Sequence, residues 1–147
     1  MNKKVMKKRI TVIAVMLFAL CVVQLAPVRS VTAKENETKQ VIVDSIKGNT
    51  MKYYKAANAT DVIPDCQWEN IIGIGKKKSI KVSKDAKYYL FNFDTMKNEK
   101  ASKKKFIKSL PKCGKSKDNG VTFYTGMACR LTIKKGVCVK VVQVYQS

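Results

Sequence analysis

The sequence predicts a mainly β domain: a small, OB-like barrel of six or seven short strands with one short helix, with a β-sandwich as the alternative. Three observations lead there. Apolar and aromatic residues alternate with polar ones over several short runs, as in Ser79-Ile80-Lys81-Val82-Ser83. Two pairs of such runs flank glycine-containing turns. A single segment, starting at Ser102, spaces its apolar residues by three and four. Closing the sheet would hide the edges of Val-rich strands, and the helix would plug one end.

The elements follow in order. Val41 to Ile46 and Thr50 to Tyr54 surround Lys47-Gly48-Asn49 and read as a hairpin. Pro64 argues against a central strand in the stretch that follows. Ile71, Ile72 and Ile74 suggest a short strand, Lys76-Lys77-Lys78 a solvated turn, and Ser79 to Ser83 a half-buried strand. Lys84-Asp85 turns the chain into the aromatic run Lys87 to Phe93. Ser102 caps the helix, Phe106, Ile107 and Leu110 form its apolar face, and Pro111 and Gly114 end it. Val121 to Tyr124 and Met127 to Ile133 are strands. Lys134-Lys135-Gly136 then turns into the Val-rich run Val137 to Tyr145.

The start of the chain has a different character. Met1 to Ile10 carries five basic residues and no acid, Thr11 to Ala26 is a 16-position apolar core, and Val31-Thr32-Ala33 offers small residues. This is the pattern of a secretion signal cut after Ala33, and the core is shorter than the about 20 residues a spanning helix needs. The expected organisation is signal peptide 1–33, flexible leader 34–39 and a single β-rich domain 40–147. The product would be secreted or extracellular, with no transmembrane anchor after cleavage.

Beyond Ala33 lie 24 basic and 10 acidic residues, a net charge of +14, and Arg130 is the only arginine among them. Lysine is a hydrated point charge that attracts anions without demanding geometry, whereas base readers rely on arginine. No nucleic acid is therefore expected as a partner. Anionic cell-wall polymer or a membrane surface fits better, with Lys76, Lys77, Lys78, Lys103, Lys104 and Lys105 as candidate binding residues.

The chain has no histidine. Ser-His and Cys-His hydrolases need an imidazole base, so those classes are excluded, as are His-ligated zinc sites. A non-enzymatic binding or envelope-associated module without cofactor or metal is the first expectation. A small cell-wall glycan hydrolase is the alternative, with Glu69, Asp65 and Asp61 near Trp68 as the carboxylate cluster. A disulfide-held inhibitor or effector is the third. Ser45 to Thr50, Lys87 to Leu90, Ser102 to Phe106 and Thr132 to Gly136 resemble, in order, small β-rich modules in secreted proteins of Gram-positive bacteria. That resemblance implies an exported setting and brings no activity with it; the cysteines lie outside its pattern.

Cys66, Cys113, Cys129 and Cys138 remain after Ala33, and an even number in a small exported domain suggests two disulfides. With Ile133 opposite Val137 in the tail hairpin, Cys138 would face Thr132 and Cys129 would face Val141. The two thiols would then be offset by about 10 Å along the strands, against the about 7 Å Cα limit of a disulfide. The expected pairings therefore join each of Cys129 and Cys138 to one of Cys66 and Cys113.

Overall fold

The computed structural model describes residues 36–146. The signal segment and the cut after Ala33 lie outside the described residues.

The described residues form eight strands and two helices: β1 Glu37–Lys47, β2 Thr50–Asn58, α1 Ala59–Val62, β3 Ile71–Asn92, β4 Lys97–Ala101, α2 Lys103–Ser109, β5 Gly114–Asp118, β6 Val121–Thr125, β7 Met127–Lys134 and β8 Val137–Gln143. Five of the strands pair in a closed cycle, β1-β2-β3-β8-β7 and back to β1. Every pairing in that cycle is antiparallel except β3 with β8, which is parallel. This is the ring-like closure that the OB-like expectation called for. β4 adds to the far end of β3, and the β5–β6 hairpin adds to its near end.

Alternation decides what the ring encloses. Val41, Val43, Cys129, Leu131, Ile133, Cys138 and Val141 are buried in its interior together with Met51, Val82 and Tyr88. α2 closes this core with Phe106, which is fully buried and packs on Tyr88 at a centroid distance of 5.2 Å. Its cap forms as the sequence predicts: Ser102 Oγ accepts from the Lys105 backbone N–H at 3.2 Å. Part of the outward side of the wall is covered too. Ile42, Tyr54 and Ala128 form a second layer beneath Tyr124 and Cys113, and Ala59, Ile63, Ile72 and Phe123 form a third around α1.

Several sequence-based boundaries change. The predicted strands from Ile71 to Phe93 fuse into one 22-residue strand, so Lys76-Lys77-Lys78 is strand and not a solvated turn. The chain bends there by bulging: Tyr54 of β2 stands against three residues of β3, Gly75, Lys76 and Lys77. Gly75 has φ +75°, a conformation that glycine adopts without a side-chain clash. β1 begins at Glu37, inside the stretch read as leader, because Glu37 to Lys39 pair with Ile133 to Leu131. The run Lys97–Ala101, to which the sequence reading assigned no element, is an edge strand paired with β3. β5 was not foreseen, although Asn119-Gly120 announces its hairpin with β6.

The tail hairpin forms with a different register. Lys135 and Gly136 have φ +48° and +78°, the signature of a two-residue turn with both central residues left-handed. Lys134 therefore faces Val137, and Ile133 faces Cys138. An irregularity between Thr132 and Ile133 shifts the remainder again, so Cys129 faces Gln143 instead of Val141.

Candidate functional site

An open groove of about 460 Å³ runs across β1, β2 and β3. Val41 and Tyr53 line its floor, and Lys39, Lys55 and Lys78 line it as well. Period two explains the grouping. Lys39 lies on the same side of β1 as Val41, Lys55 is the cross-strand partner of Val41, and Lys78 is that of Tyr53. The groove is thus a continuation of the ring interior, where the apolar series gives way to lysine. Its β1 residues, Lys39 to Val41, lie seven to nine residues before Gly48, whose carbonyl accepts from Lys103 Nζ at 2.6 Å. α2 is fixed at the turn end of β1 and β2, and the groove sits towards their other end.

The six sequence-predicted lysines divide. Lys78 reaches the groove. Lys77 is committed elsewhere: its ammonium pairs with Asp44 at 3.0 Å and stands 5.5 Å from the centroid of the Tyr54 ring. Asp44 and Lys77 are each extra residues at irregularities of their strands, which turns both over β2. Hydrogen bonding to Asp44 holds the Lys77 ammonium above the usual lysine range, while burial pushes the Tyr54 phenol up. Lys103 is structural, binding Gly48 O and Asn49 Oδ1 to tie α2 to the β1–β2 turn. Lys76, Lys104 and Lys105 are exposed. Sequence reasoning missed Lys39 and Lys55 because it looked for lysine runs. Single lysines on alternating positions of neighbouring strands converge only once the register is known.

One of the three carboxylates near Trp68 has a local partner. Asp61 accepts from Asn58 Nδ2 at 2.9 Å beside the start of α1. Trp68 packs on Phe123 at 5.7 Å, and Asn119 Nδ2 donates to Pro64 O, pinning this loop to the β5–β6 turn.

All four thiols are free in this structure. Cys129 and Cys138 share the ring interior, whereas Cys66 packs on the α1 cluster and Cys113 on the layer outside β1. The pairings expected from the sequence would join residues on opposite faces of the sheet wall. Burial pushes Cys138 up to about 11 and Cys129 higher still. Cys113 is raised by the same cause, and its Sγ donates to Val43 O at 3.5 Å.

Comparison with protein families, curated proteins and solved structures finds no match for this chain.

Proposed function

We propose that this chain is an exported, non-enzymatic binding module that attaches to anionic cell-envelope polymers through lysine, and that the mouth of the ring is where it does so. The observation that carries the reading is the groove lined by Lys39, Lys55 and Lys78 across three strands. Barrel mouths are common ligand sites, and a concave basic site concentrates a polyanion better than a flat one. Composition supports it: 23 basic residues face 9 acids within residues 36–146, and only two lysine–carboxylate pairs occur among the described residues. One of these, Lys39 with Glu37 at 3.3 Å, lies on the exposed rim, where solvent keeps the lysine exchangeable between partners. The basic head, apolar core and small residues before Lys34 support export.

Inorganic polyphosphate titrated against residues 34–147 by calorimetry tests the reading. Binding at low salt should weaken steeply as salt rises, because exposed charges are screened over about 8 Å at physiological ionic strength. The double substitution Lys55→Glu, Lys78→Glu should weaken it about tenfold or more, and Lys115→Glu with Lys117→Glu on the outlying β5 should change it far less. Salt-insensitive binding, or equal losses from the two pairs, would rule the groove out.

A further inference from the structure

A second surface lies on the outer side of β4, β3, β8 and β7, away from the groove. We infer that it is a glycan-stacking subsite, which gives the module a preference for anionic polymers built of sugar rings. The inference rests on the polyanion reading and specifies its ligand.

The register assembles this face. Lys100 is the cross-strand partner of Tyr89, Asn98 that of Phe91, and Arg130 that of Val142, while Tyr89 and Val142 are partners in the parallel pair. Partners share a side of the sheet, so rings, amide and cations alternate across four strands. Lys140 Nζ stands 5.0 Å from the centroid of the Tyr89 ring. At the end of this face three rings gather. Phe91 lies 5.2 Å from Phe93 and 5.0 Å from Tyr145, and Phe93 lies 6.0 Å from Tyr145. Phe93 is 64% exposed and Tyr145 45%. Aromatic rings are held at such exposure beside open grooves on three sides, of about 410, 310 and 150 Å³.

The chemistry of the lining selects the occupant. The smallest groove sets Phe91 and Tyr145 beside Asn98, Arg130 and Gln143. Gln143 Oε1 already accepts from the Phe91 backbone N–H at 2.9 Å, so the donors left to it are those of its amide NH₂. Planar amide and guanidinium groups next to an exposed ring suit a pyranose: its C–H face covers the ring and its hydroxyls meet the planar groups edge-on. A nucleobase can also stack on a single exposed ring, but the three rings here meet at 82°, 35° and 67° and form no platform on which successive bases could stack in parallel. Charge complementarity then asks for an anionic sugar chain, since Lys100, Lys140 and Arg130 share the face. Glu99 pairs with Leu90 across the strands and accepts from Asn92 Nδ2 and Thr95 Oγ1; with Asp94 it lines the largest of the three grooves, which Lys100 and Lys105 also line.

The test compares polygalacturonate, a chain of anionic pyranoses, with polyphosphate, which has charge and no rings, using residues 34–147. Wild type should bind polygalacturonate about tenfold tighter than polyphosphate per charge. Phe93→Ala and Tyr145→Ala should each erase most of that preference and leave polyphosphate binding intact, while Lys55→Glu with Lys78→Glu should weaken both. Failure of polyphosphate to bind at low salt would sink the lysine reading alone if ring-dependent polygalacturonate binding persists. Polygalacturonate binding indifferent to both ring substitutions would overturn the inference. So would ring-dependent binding of oligothymidine or phosphatidylglycerol vesicles in its place.

Discussion

Gly73 of β3 is where two strands and the outer hairpin meet most closely, and Gly73→Ala should destabilise the domain by about 1–3 kcal/mol. A Cβ at that position would stand 2.8 Å from Tyr54 Cβ, 3.2 Å from Tyr124 Cβ and 3.3 Å from Ile42 Cβ. All three contacts are Cβ atoms, fixed to the backbones of β2, β6 and β1, so no rotamer change relieves them. Carbon atoms prefer about 3.5–4.0 Å, and the backbone must therefore open by something under about 1 Å. The movement pries apart Tyr54 and Tyr124, which stack at 3.7 Å and 10° over the glycine. Losing that geometry costs about 0.5–1.5 kcal/mol on top of the overpacking. The stiffer unfolded chain offsets about 0.4–1 kcal/mol. Urea unfolding followed by far-UV circular dichroism, with a slope of about 1–1.5 kcal/mol/M, should show a midpoint about 1–2 M lower. The near-UV tyrosine signal should change in the folded baseline as well. An unchanged midpoint with an unchanged tyrosine signal would mean that β6 does not pack on Gly73 as described.

Two further outcomes follow from the ring interior. The Tyr88 hydroxyl is buried with no hydrogen-bond partner among the described residues, so Tyr88→Phe should raise stability by about 1 kcal/mol in the same urea assay; a clear loss would show that the hydroxyl is satisfied. Because burial raises Cys138 to about 11 and Cys129 further, the unfolded chain releases these protons first as pH rises past the ordinary thiol range of about 8.5. The unfolded state then binds fewer protons than the native one. Stability should fall between about pH 8.5 and 11 by up to about 1.4 kcal/mol per pH unit for each thiol, and it should be flat in these groups below that range. Thermal unfolding across this range, repeated on Cys138→Ala, checks the sign: the variant should show the shallower slope, and an identical slope would count against the buried thiol.

Hairpins and core were legible because local rules governed them. Gly48-Asn49 fixed one turn, Ser102 capped the helix, and the alternation of Val41, Val43, Leu131 and Ile133 marked the interior. What could not be read was whatever depended on register between distant strands. The turn at Lys135-Gly136 was anticipated, but its two-residue length and the later irregularity moved Cys129 from Val141 to Gln143, two positions along β8. The observed register sets Cys129 and Cys138 four to five positions apart along the strands, further than the three that the assumed register gave. Lysine runs drew attention at Lys76 to Lys78, yet a bulge sends Lys77 to Asp44 and leaves Lys78 for the groove. The groove's other lysines, Lys39 and Lys55, carry no local signal at all. Asn119-Gly120, by contrast, was a strong local signal for a hairpin that was overlooked.

The distribution of covered surface narrows where this fold can meet a partner. The outward residues of β1, β2 and β7, Ile42, Tyr54 and Ala128, are sealed beneath the β5–β6 hairpin and Cys113. Phe106 seals the core with α2, and Trp68 lies against Phe123 over the α1 cluster. Among the described residues, the lysine-lined mouth over β1 to β3 and the ring-bearing face over β4, β3, β8 and β7 are open. β3 is the one strand common to both. Its first half supplies Lys78 to the mouth and its last residues lead into Phe91 and Phe93. The two-residue bulge, where Gly75 and the Lys77–Asp44 pair set the bend, comes just before Lys78, and the pairing of β3 with β8 is irregular between Val82 and Lys87, on the stretch that joins the two surfaces. One continuous strand spans both sites and sets their spacing. A flexible polyanion would therefore engage the two in series along one chain, and its affinity would depend on a length long enough to reach both.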